Sequence, residues 1–207
     1  MRFKFLLALP LLAASLLALP AFPASAQSGG NTPVNVRGTI DKLSGDVLTV
    51  NSREGQKVPI KINSDVQISS VLKRSLSDIK PGDYIASTSM RGADGKLHAL
   101  EIHIFPPGRK PGEGQRPYDL APNSLMTNAS VAQVANVTQG KVFTVTYKGS
   151  KDDVVVGPEV PVVTYGPGDK SLLKPGATVF VAAQKKPDGS MVTSRITAEK
   201  DGVKPPM

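Results

Sequence analysis

Apolar and polar residues alternate with a period of two over short stretches of this chain. Val58, Ile60 and Ile62 alternate with Pro59, Lys61 and Asn63, and Leu100, Ile102 and Ile104 alternate with Glu101, His103 and Phe105. Such alternation is expected of strands with one buried face. Ser44-Gly45-Asp46 and Asp94-Gly95 separate runs of this kind and read as hairpin turns, because Asp-Gly tolerates the positive φ angles of two-residue loops. The pattern predicts strands over residues 35–43, 46–51, 57–62, 66–69, 83–91 and 96–105, with a helix-like turn over Leu72 to Lys80. Six short strands are best accommodated by closure into a small barrel, which leaves no exposed sheet edge.

The same pattern recurs. Lys80-Pro81-Gly82 returns as Lys174-Pro175-Gly176, Asp94-Gly95 as Asp188-Gly189 and Ile102 as Ile196, all at an offset of 94 residues. Gly45-Asp46-Val47-Leu48-Thr49-Val50 pairs with Gly140-Lys141-Val142-Phe143-Thr144-Val145, one residue further apart. The fold expected is all-β: two tandem OB-like barrels of about six strands each, over residues 34–105 and 131–203. Between them, residues 106–130 are rich in Pro and Gly and basic, and read as an irregular linker.

Ahead of the repeats, Arg2 and Lys4 precede an apolar run from Phe5 to Phe22, which ends at Ala24-Ser25-Ala26. This is the plan of a secretory signal peptide over residues 1–26, cleaved after Ala26, and it predicts a periplasmic or secreted protein. Pro10, Pro20 and Pro23 interrupt the run and argue against a membrane anchor, so no transmembrane segment is expected in the mature chain. Cleavage leaves 23 basic and 17 acidic residues, a net charge of +6. That charge suits an anionic polymer or an envelope protein as partner. The chain has no Cys, so no disulfide braces the fold and each barrel depends on its own apolar core.

The candidate chemistry is sparse. Ser70-Val71-Leu72-Lys73, Ser77-Asp78-Ile79-Lys80 and Ser171-Leu172-Leu173-Lys174 match Ser-x-x-Lys, yet the Ser-Asp-Asn and Lys-Thr-Gly elements of penicillin-binding hydrolases are missing. Ser77 and Ser171 stand at equivalent repeat positions and read as turn caps. No phosphate-binding glycine loop and no cofactor motif occurs. The expected export and the scarcity of aromatic residues argue against a nucleic-acid partner. The reading is therefore a non-catalytic interaction or binding protein.

Two alternatives name residues. Glu101 and His103 share a strand face and, with His98, form a candidate metal site, although transition metals usually take three or four ligands. The second repeat carries Arg195, Thr197 and Val192 at those positions. In the linker, Arg109, Lys110, Arg116 and Tyr118 form a candidate contact for an anion or partner.

Three segments carry a family resemblance: Gly45-Asp46-x-Leu48-Thr49-Val50, then Leu76-Ser77-Asp78-Ile79-Lys80-Pro81-Gly82-Asp83-Tyr84, then Asp94-Gly95-Lys96-Leu97-x-Ala99-x-x-Ile102. With these the chain resembles a bacterial exported domain of unknown function. The resemblance implies small OB-like barrels, often in tandem, in a group sometimes labelled as metal-transporter components. It brings no catalytic residues, and it is looser in the second repeat, where Ala177 replaces Asp83.

Overall fold

A computed structural model describes residues 30–206, so the leader expected over residues 1–26 lies outside the described residues. The fold is all-β and contains a β-barrel. Its strands are β1 (Thr32–Ser44), β2 (Val47–Ser52), β3 (Lys57–Arg74), β4 (Tyr84–Arg91), β5 (Leu97–Ile104), β6 (Gly114–Pro117), β7 (Leu125–Asn136), β8 (Lys141–Tyr147), β9 (Ser150–Val156), β10 (Val162–Pro167), β11 (Thr178–Lys185) and β12 (Met191–Ala198).

Strand pairing departs from the tandem plan. One closed circuit runs β1-β2-β3-β12-β11 and back to β1, with β3 and β12 parallel. A second runs β7-β8-β9-β5-β4 and back to β7, with β5 and β9 parallel. Each circuit joins the first three strands of one repeat to the last hairpin of the other. The repeats expected over residues 34–105 and 131–203 are thus repeats of sequence but not units of folding.

The cores divide the same way. Val36, Ile40, Leu48, Val50 and Ile60 pack with Val179, Val181 and Ile196 from the far end of the chain. Ile85, Leu97 and Ile102 pack with Phe143, Val145 and Val154.

The length of β3 accounts for the exchange. The sequence pattern predicts strands at 57–62 and 66–69 followed by a helix-like turn from Leu72. One 18-residue strand occupies Lys57–Arg74 instead, about 60 Å of extended chain at ~3.3 Å per residue and too long for one small barrel. Its first part pairs with β2 and its middle with β12, while Ser69 to Arg74 pair with β10. The strand thereby carries the chain into the other barrel, where β4 and β5 complete the circuit. Only Leu76–Asp78 remain helical, as a 3-10 turn.

Registers place an approximate two-fold axis. In the antiparallel β3–β10 pair, Val71 lies opposite Tyr165, and the 94-residue offset makes these two residues equivalents. The axis therefore passes between them and relates the two barrels.

The turn caps also differ in detail from expectation. Ser75 opens the first 3-10 turn, its N–H donating to Asp78 Oδ2 at 2.9 Å, and Asp169 opens the second by accepting from the Ser171 N–H at 2.7 Å. Ser77 and Ser171 lie inside the turns rather than capping them. In residues 106–130, read as irregular from sequence, β6 pairs with β7 and β7 itself begins at Leu125.

One glycine tests the barrel wall. Gly38 on β1 faces Ser52 of β2 and Val179 of β11, and a Cβ there would stand 2.0 Å from the Asn51 carbonyl oxygen. Backbone cannot yield as a flexible side chain can. Gly38→Ala should cost more than about 3 kcal/mol, measured as a lowered urea midpoint, whereas Gly95→Ala, in an open turn, should cost less.

Candidate ligand-binding cleft

A cleft of about 840 Å³ lies where the two barrels meet, lined by strands from both repeats and by the linker. A bulge in β5 shapes its floor. Thr88 and Ser89 of β4 pair with Glu101 and Ala99, which leaves Leu100 as the extra residue. The phase of alternation slips there, so Leu97, Ala99 and Ile102 enter the core, and Leu100 is only partly buried. Glu101 and His103 are turned to the other face and line the cleft.

Glu101 is 3% exposed, although simple alternation assigns it to solvent. It accepts from Thr88 Oγ1 at 2.6 Å, and His103 Nε2 lies 3.7 Å from its Oε1. Burial pushes its pKa up, but His103, Thr88 and the more distant Arg37 outweigh this and hold the carboxyl below its ordinary range.

Beside this pair the aromatic residues form a ledge. The His103 and Tyr165 rings stack with centroids 5.4 Å apart, Phe105 stacks on Tyr165 at 5.6 Å, and the Arg109 guanidinium lies 5.5 Å from the Tyr165 centroid. Burial pushes the Tyr165 hydroxyl up to about 12, with Glu101 and Tyr118 adding to the rise and Arg109 and Arg195 opposing it.

The linker straps across the site. Pro111 O accepts from Tyr84 Oη and from Asn128 Nδ2, both at 3.1 Å, which ties the first part of the strap to the second barrel. Asp119 ties the other end to the first barrel: its Oδ1 accepts from Arg37 at 2.9 Å and from Asn35 Nδ2 at 3.1 Å. Arg53 reinforces this end by donating to the carbonyls of Asp119 and Leu120. Arg37 is 3% exposed and lies between the rings of Tyr118 and Phe180, at 5.2 and 5.0 Å from their centroids.

Of the residues singled out in the sequence, Glu101, His103, Arg109, Arg116 and Tyr118 meet in this cleft. Lys110 stands apart from its lining, with Nζ 5.8 Å from the Tyr84 ring centroid. His98 is also elsewhere, half-exposed, with Nε2 3.1 Å from Asp94. It belongs to a surface pair and cannot join Glu101 and His103 around one ion. Among the described residues no three potential metal ligands of the His, Cys, Asp and Glu types come together.

Several residues in the cleft or packed beside it are not distinguished by sequence pattern. Arg37 reads as an ordinary outward position between Val36 and Gly38, and Tyr165 has no motif around it. The legible clue is the reversal of charge between repeats, Glu101 against Arg195, since the two-fold axis brings both to one cleft. Equivalence extends further. Arg37 pairs with Phe180 as Asn128 pairs with Ala86, so corresponding positions carry different chemistry on the two sides of the axis.

Two polar atoms are left over. His103 Nδ1 and Asn128 Oδ1 are buried without a hydrogen-bond partner among the described residues, and both side chains line the cleft. Unpaired buried groups of this kind are uncommon in stable folds. Comparison of the chain with models of protein families, with curated proteins and with solved structures finds no match.

Proposed function

We propose that this is a non-catalytic, exported binding protein and that the cleft between its barrels holds an anionic ligand. The observation that carries this reading is the convergence of Arg109, Arg116 and Arg195 on the cleft with no ion-pair partner among the described residues. Beside these exposed side chains, the buried Arg37 is already paired with Asp119, and the buried Glu101 accepts from Thr88 next to His103. The three guanidinium groups are therefore free to meet charge from outside. Export rests on the leader plan of residues 1–26. Among the described residues no helix is long and apolar enough to cross a membrane.

The circuits β1-β2-β3-β12-β11 and β7-β8-β9-β5-β4 support an OB-like assignment. Each is a five-stranded barrel whose third and fifth strands, in that barrel's own order, run parallel. The proposal places two such barrels in one exchanged pair, with the ligand at their junction.

Calorimetric titration with inorganic polyphosphate and with 2-naphthoate tests the reading. At least one should bind saturably, with an affinity that falls as salt rises. The triple variant Arg109→Ala, Arg116→Ala, Arg195→Ala should weaken it by about 10-fold or more, the scale of losing charge-assisted hydrogen bonds. No heat with either anion, or binding unchanged in the triple variant, would remove the proposal.

A further inference from the structure

Resting on the cleft as an anion site, we infer that its ligand is a small aromatic carboxylic acid, with the ring on the His103–Tyr165–Phe105 ledge and the carboxylate on Arg195 and its neighbours. Three observations narrow the class from anions in general.

The first is size. At about 840 Å³ the cleft falls in the range, roughly 300–1,000 Å³, that encloses most of a compact organic molecule. The prolines of the strap and of the segment following β12, including Pro205 and Pro206, supply rigid apolar rims.

The second is the ledge. Tyr165 stacks with His103 and with Phe105, each pair inclined by only 28°, which gathers an aromatic surface of three rings at one side of the cleft. A planar ring gains most from such a surface, and a flexible polyanion gains little.

The third is the asymmetry across the two-fold axis. Next to His103 the paired residue on β4 is Ala86, while at the equivalent place Thr197 is paired with Phe180 on β11. One side of the axis is filled by an aromatic side chain. The other has a methyl group beside an imidazole ring, leaving room for a ring brought by the ligand. The charge is reversed in the same sense, Arg195 against Glu101, so the two ends of a ligand meet different surroundings. A carboxylate is bound by a guanidinium fork.

The experiment is calorimetric titration of the mature chain with four probes: 2-naphthoate, 2-naphthalenemethanol, cyclohexanecarboxylate and inorganic polyphosphate. Only 2-naphthoate should bind tightly, with the neutral and the non-aromatic analogues each weaker by about tenfold or more. Tyr165→Phe should keep the affinity and Tyr165→Leu should lose it. Phe105→Leu serves as a second variant if Tyr165→Leu does not fold by circular dichroism. Polyphosphate binding that needs the three arginines, with no binding of 2-naphthoate, overturns the aromatic acid and leaves the anion site standing. Absence of binding by both overturns the two together. Equal affinity for 2-naphthoate and cyclohexanecarboxylate removes the role of the ledge.

Discussion

A chain cut once in the linker, at a protease site engineered over residues 107–110, should still migrate as a single species under native conditions. Residues 107–110 are exposed. The first barrel needs β11 and β12 from beyond the cut, and the second needs β4 and β5 from before it. Separating the halves would open both circuits. It would expose Leu48, Val50 and Ile196 in one core and Leu97, Ile102 and Phe143 in the other, all fully buried in the intact fold. Each such side chain contributes roughly 1.5–3 kcal/mol on burial, so spontaneous dissociation is strongly disfavoured. Expressed alone, residues 30–105 should give neither a stable monomer nor a cooperative unfolding transition, and should regain both when mixed with residues 106–206. Size-exclusion chromatography decides the matter, because two independent tandem barrels would elute as separate folded fragments.

Much of this architecture is legible in the sequence, and the part that is not has a definite cause. Strand positions, turns and the repeat all follow from local pattern: β2, β4 and β5 fall close to the predicted ranges because their alternation and their Gly-containing turns are local properties. Which hairpin closes which barrel is not a local property. The two copies are similar enough that β4-β5 and β11-β12 satisfy the same pairing rules, and sequence pattern alone does not distinguish closure within a copy from closure across copies. The choice is made by the extension of β3 to Arg74, where pairing with β10 replaces the helical turn that Leu72 to Lys80 suggests. The site was half-legible for a related reason. Glu101 and His103 are legible as residues present in one copy only, and Arg109 and Arg116 as linker charges. Arg195 registers in the sequence only as the residue that replaces Glu101 in the second copy, although the two-fold arrangement makes it part of the same cleft.

The exchange also explains why the cleft is asymmetric. Two identical chains joined in this manner would present identical residues on either side of the axis. Fusion into one chain frees each copy to change alone, and the cleft carries one such reversal of charge, Glu101 against Arg195, with Asn128 in its lining matched by the buried Arg37 beside it. The cores have stayed interchangeable in character, with Val50 matched by Val145 and Ile102 by Ile196. Folding imposes the same demands on both halves, whereas an asymmetric ligand does not.

The strap over this cleft should be held by the Arg37–Asp119 pair, and Asp119→Ala should therefore release it. The two partners are unequally buried: Arg37 is 3% exposed and the Asp119 side chain 49%. Removing the carboxylate leaves a guanidinium in the interior with only Tyr118 and Phe180 around it, while removing the guanidinium leaves a carboxylate that water can reach. Breaking a buried pair typically costs 3–5 kcal/mol, and the exposure of Asp119 reduces this to about 1–3 kcal/mol for Asp119→Ala. Arg37→Met, which keeps the packing between the two rings, should cost less. Acid should act in the same direction. Burial pushes Asp119 up, but hydrogen bonds from Arg37 and Asn35 outweigh it and hold its pKa below the ordinary carboxylate range, as His103 and Thr88 do for Glu101. Groups with depressed folded-state values stabilise the fold fully above their unfolded pKa, about 4, and lose that contribution as pH falls through the lower folded values. Hydrogen exchange of the amides over residues 112–124, corrected for intrinsic rates, should be slow at neutral pH and accelerate only below about pH 4. In Asp119→Ala it should already be fast at pH 7. Slow exchange in that variant, or an equal loss of stability in Arg37→Met, would mean that the strap is held by Arg53 and the β6–β7 pairing instead.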